Sequence, residues 1–140
     1  MKAKMICSLA LVLGALAFSS PIFAHHGGSE YDHKNFVTIK GAVTEFYWAN
    51  PHCQIFVDVK DDKGKVTSWG VETNSPAVME RAGWTRKSLT AGDEVTITVA
   101  PSKKGTPVGL LRKLVFTTTG KELGPGTLGE QPDSGSSEYQ

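Results

Sequence analysis

Five short runs of alternating side chains, one helical segment between the third and fourth, and a glycine inside the first run predict a mainly β fold. The order matches a small five-stranded Greek-key barrel of the OB type, with a β-sandwich as the alternative topology. Closure removes exposed strand edges, and a small barrel needs one strand that bends across both of its halves.

Phe36 to Trp48 sets Val37, Ile39, Gly41 and Val43 against Thr38, Lys40, Ala42 and Thr44, the period of a half-buried strand. Gly41 in its middle marks a bulge or a sharp bend. Asn50-Pro51 then punctuates the chain. Gln54 to Lys60 reads as the second strand, Asp61-Asp62-Lys63-Gly64 as a hairpin turn, and Lys65 to Thr73 as the third strand. Ser75 as N-cap and Pro76 at the first helical position start a short helix through Ala82, which Gly83 closes. Ala91-Gly92-Asp93 turns into the fourth strand, Glu94 to Val99, and Gly109 to Thr118 is the fifth. From Gly124 to Gln140 the chain is rich in Gly, Pro, Ser and acids, the composition of a flexible tail.

The chain has 140 residues, and the first 24 read as an export signal. Lys2 and Lys4 form a positive start, Met5 to Phe18 is an uncharged apolar run too short to span a bilayer, and Pro21-Ile22-Phe23-Ala24 ends on a small residue. Cleavage after Ala24 gives a secreted or periplasmic product without a membrane anchor. That product divides into a histidine-rich segment, residues 25–35, the barrel, residues 36–123, and the tail, residues 124–140. Losing Lys2 and Lys4 takes the formal charge from +1 to −1, which argues against a nucleic-acid binder. Losing Cys7 leaves Cys53 alone, which excludes an internal disulfide framework and suits a small inward-facing hydrophobe. No nucleophile–base–acid constellation, phosphate loop or CxxC motif is present, so no catalytic residue is assigned.

The histidines carry the functional expectation through their position. His25, His26 and His33 follow the cleavage point within nine residues, and His52 sits in Asn50-Pro51-His52-Cys53 between the first two strands. After cleavage, His25 offers its α-amine and its imidazole to one ion, and a second imidazole completes a three-nitrogen site. Cu(II) heads the affinity order for such donors and accepts tetragonal geometry. The expected ligands are therefore His25, His26, His33 and His52, the expected cofactor or cargo is copper, and the expected partner is a periplasmic redox or metal-handling protein. Glu30 and Asp32 are candidates for a further carboxylate or for fixing a histidine tautomer. The alternative is a binding module without metal, its aromatic face around Trp48, Asn50 and Trp69 taking a peptide, a glycan or a protein. Core packing explains the same aromatics.

Taken together, Ala24-His25-His26, the strand Val37-Thr38-Ile39-Lys40-Gly41-Ala42-Val43, Asn50-Pro51-His52, Ser75-Pro76, Gly83-Trp84-Thr85-Arg86 with Ser88-Leu89, and Gly92-Asp93-Glu94-Val95 form a specific pattern. In these residues the chain resembles a bacterial exported family of uncharacterised function, across roughly His25 to Leu123. Gly27-Gly28 and Thr118-Thr119-Gly120 depart from the family pattern. The resemblance implies export and brings no activity with it.

Overall fold

The structure, a computed structural model, describes residues 29–126. The predicted leader, His25 and His26, and residues 127–140 lie outside the described residues. The elements are β1 (Val37–Tyr47), β2 (Gln54–Lys60), β3 (Val66–Glu72), α1 (Pro76–Arg81), β4 (Glu94–Pro101), β5 (Val108–Phe116) and β6 (Glu122–Leu123). β1 pairs antiparallel with both β2 and β4, β2 with β3, and β4 with β5. A short parallel pairing of Gly70, Val71 and Glu72 with Val108, Gly109 and Leu110 joins β3 to β5. The ring β1-β2-β3-β5-β4 is thereby closed, the expected five-stranded barrel with one short helix between its third and fourth strands.

β1 is the strand that bends across both halves. Its first part, Val37 to Ala42, lies against β4, and its second part, Ala42 to Tyr47, lies against β2. Gly41 stands at the crossing because the Asp58 carbonyl approaches so closely that a Cβ there would sit 2.2 Å from its oxygen. The bulge itself falls three residues later, where the register with β2 shifts between Val43 and Glu45. Of the two alternatives that the sequence left open for Gly41, it therefore serves the bend, and the bulge falls at Thr44.

The β2–β3 hairpin turns where expected. Asp61 Oδ1 accepts the N–H of Lys63 and of Lys65, both at 2.9 Å, and Gly64 takes the positive φ of 82° that a side chain disfavours. The pairing then runs without interruption from Lys60–Val66 to Gln54–Glu72.

Alternate residues of these strands fill the barrel. Val43, Ile55, Val57, Val71, Val95, Ile97, Val99, Leu111 and Leu114 are almost wholly buried. Met79 of α1 and Trp84 just after it belong to the same core. Ser75 precedes α1 with extended backbone, but its side chain makes no capping bond; its carbonyl accepts from Val78 and Met79 instead. β6 is a short addition that pairs Leu123 with Leu114. Residues 124–126, grouped by composition with the tail, are pinned to the barrel. Trp84 Nε1 donates to the Gly124 carbonyl at 2.8 Å, and Asn74 Nδ2 donates to the carbonyls of Pro125 and Gly126.

Candidate functional site

Cys53 and His52, just ahead of β2, send adjacent side chains to opposite sides. The Cys53 backbone is tied across the hairpin, its N–H to the Asn74 carbonyl at 2.9 Å and its carbonyl to Thr73 N–H and Thr73 Oγ1. Its side chain is fully buried, and burial pushes the thiol pKa up, as for a small hydrophobe. His52, one residue earlier, faces outward with its side chain 43% exposed.

The outward side also carries Glu72, the last residue of β3, set between Gln54 of β2 and Leu110 of β5. Val71 beside it points into the core with no exposure, so strand alternation turns the Glu72 carboxylate outward. One carboxylate oxygen, Oε1, accepts a hydrogen bond from His52 Nδ1. The other, Oε2, accepts the Tyr31 hydroxyl at 2.6 Å.

Tyr31 arrives from the other side of the seam. Residues 29–32 lie along the end of β4: Asp32 N–H donates to the Pro101 carbonyl at 2.8 Å, Lys103 N–H to the Glu30 carbonyl at 2.9 Å, and Lys103 Nζ to the Ser29 carbonyl at 2.7 Å. Tyr31 itself forms an isolated antiparallel bridge with Ser102 and is only 6% exposed. Burial first, then the hydrogen bond to Glu72 and the negative charge of Glu72 and Glu30, raise its phenol pKa far above the usual value.

The chemistry of the cluster follows from its donors. A carboxylate is an acceptor, so the bond to Glu72 places a His52 proton on Nδ1. In the neutral ring Nε2 carries the lone pair, the form in which histidine binds metals. Glu72 uses both oxygens, one for each donor, and Tyr31 ties the segment before β1 to the same carboxylate.

The residues expected from sequence are distributed as follows. His33 is exposed and Asn50 is exposed. Asp32 holds the turn after it, accepting from Asn35 Nδ2 and from the N–H groups of Lys34 and Asn35, which lowers its pKa. Glu30 stands 3.7 Å from Lys104 Nζ. Trp48 is 8% exposed and packs edge-on against Phe46, with ring centroids 5.5 Å apart. Trp69 is half-buried opposite Val57 and packs on the core. Among the described residues no group of three or more His, Cys, Asp or Glu side chains is placed to hold a metal. His52 is brought together with Glu72 and Tyr31, neither of which the sequence reading singled out. Register held a signal for Glu72, because counting back from the Asp61–Gly64 turn sets it opposite Gln54 on the outward side that His52 shares.

The fold and site together define a small closed β-barrel carrying a histidine–carboxylate–phenol cluster where β3 closes on β5. The sequence places it further. Residues 13–112 match a family of unknown function, DUF6152, and the chain belongs to that family. No curated protein matches the chain.

Proposed function

We propose that the protein is an exported transition-metal binder, with copper as the metal, in which His52 Nε2 and the histidines of the processed N-terminus share one ion. The observation that carries this reading is the Glu72 carboxylate on Nδ1 of a half-exposed His52, the arrangement by which metal-ligating histidines are oriented. His25 contributes its α-amine and imidazole, and His26 or His33 a further nitrogen. Chain length supports the partnership: His25 stands six residues before Tyr31, a span of at most about 20 Å at full extension. Tyr31 and His52 in turn bond to one carboxylate. The role is metal handling or delivery to a periplasmic redox or metal-handling protein.

The test is calorimetric titration of the chain beginning at His25 with Cu(II). One equivalent should bind, and His25→Ala and His52→Ala should each weaken it. Stoichiometric binding that persists in the double variant would refute the site. Intact-mass measurement of the periplasmic protein, with and without copper, fixes the cleavage point and the stoichiometry together.

A further inference from the structure

We infer that the groove formed by Asn74, by Val78 and Ala82 at α1, and by Trp84 is a peptide-recognition site, filled here by the chain's own Gly124-Pro125-Gly126 and open to a partner protein's segment of the same Gly-Pro-Gly chemistry. It uses none of the proposed metal ligands.

The groove reads three successive carbonyls. Trp84 Nε1 donates to that of Gly124 at 2.8 Å, and Asn74 Nδ2 donates to those of Pro125 at 2.9 Å and Gly126 at 2.6 Å. α1 sets the spacing of the two donors, because Ser75-Pro76 starts it straight after Asn74 and Gly83 follows its end straight before Trp84. The groove also reads a missing side chain. Gly126 takes a φ of 63°, and a Cβ there would stand 2.9 Å from Ala82 Cβ and 3.1 Å from the Val78 carbonyl oxygen. Pro125 between the glycines is half-buried and has no N–H to leave unpaired.

The occupant is held in a way that lets it exchange. Among the described residues, no backbone–backbone hydrogen bond ties residues 124–126 to the barrel. Gly124 is exposed, and Pro125 and Gly126 are half-buried. A segment fixed by a few side-chain donors opens far more easily than paired strands, so it can leave while the sheet stays closed.

Gly126→Ala in the full chain should unseat the segment, because the added methyl meets Ala82. The Trp84 indole N–H resonance should then move to the position of a water-bonded indole. Titrating the synthetic peptide Leu-Gly-Pro-Gly-Thr should restore it, and Leu-Gly-Pro-Ala-Thr should not. Adding Asn74→Ala removes two of the three bonds and should weaken the peptide about 10-fold or more. The native chain should bind the peptide far more weakly than Gly126→Ala, since its own segment competes at the high effective concentration of a short tether. A measurement on the native chain needs no variant to fold. Its Trp84 indole proton should exchange with solvent much faster than the Val43 amide of β1, which donates to the Asp93 carbonyl at 2.9 Å. An indole that exchanges only as slowly as that amide would overturn the site. So would equal binding of the two peptides, or no binding by the folded Gly126→Ala chain.

Discussion

At the residue scale, the Tyr31 hydroxyl has three reasons to keep its proton: burial, a carboxylate accepting its hydrogen bond, and the negative charge of Glu72 and Glu30. In the unfolded chain the phenol ionises near its ordinary value of 10.0. The folded value is higher, so the folded state keeps a proton that the unfolded state gives up. Its contribution to stability is complete below pH 10 and is lost as pH rises from there through the folded value. Urea midpoints measured from pH 9 to 12 should therefore fall more steeply for the native protein than for Tyr31→Phe; parallel curves would contradict this account. The sequence offered the histidine and withheld the phenol. His52 stood out because it follows Asn50-Pro51 between two strands, whereas Tyr31 is 41 residues from Glu72 and nothing local announces their meeting.

At the scale of elements, β1 shows how a single strand serves two partners. Ala42 pairs with Asp58 on one side and Glu94 on the other, and Gly41 lies where the neighbouring backbone comes nearest. Adding a methyl group there requires the Asp58 carbonyl to move, and backbone in a paired strand yields poorly. Gly41→Ala should cost about 2 kcal/mol or more, within the range for overpacking. For a domain of this size that lowers Tm by roughly 10 °C, readable by thermal denaturation; a variant melting at the native temperature would show that the approach is not tight. Alternation and turn chemistry made β2 legible to the residue and β3 to within one residue at each end. The bulge at Thr44 was not, because a bulge is set by how the partner strand must twist, and a run of alternating residues does not record it. β6 was missed for a simpler reason, since two residues are too few to display a period.

At the scale of the whole molecule, the order of three strands, a helix and two strands was enough to specify a closed barrel, because few topologies cover every edge of so short a sheet. Composition alone does not reveal that residues 124–126 bond back to the barrel. Gly124 and Pro125 look like linker, yet their carbonyls receive Trp84 Nε1 and Asn74 Nδ2. Cutting the chain after Leu123 should therefore destabilise it by about 1–3 kcal/mol, the cost of hydrogen bonds lost at partly buried donors. Cutting after Gly126 preserves those bonds, so comparing the two truncations in chemical denaturation isolates their effect. Equal stability of the two would show that the clasp contributes nothing.

The closing seam also orders events in time. Hairpins β1–β2–β3 and β4–β5 are built from neighbouring stretches of chain, whereas the parallel contact of Gly70 with Val108 must wait for a much longer loop to close. Tyr31 needs both sides of that contact, the end of β4 for its backbone and Glu72 of β3 for its hydroxyl. The segment before β1 leaves the ribosome ahead of the barrel strands, and topology makes it among the last to find its place. The histidine–carboxylate pair can form within one hairpin, but the three-part cluster is complete only in a chain that has finished folding.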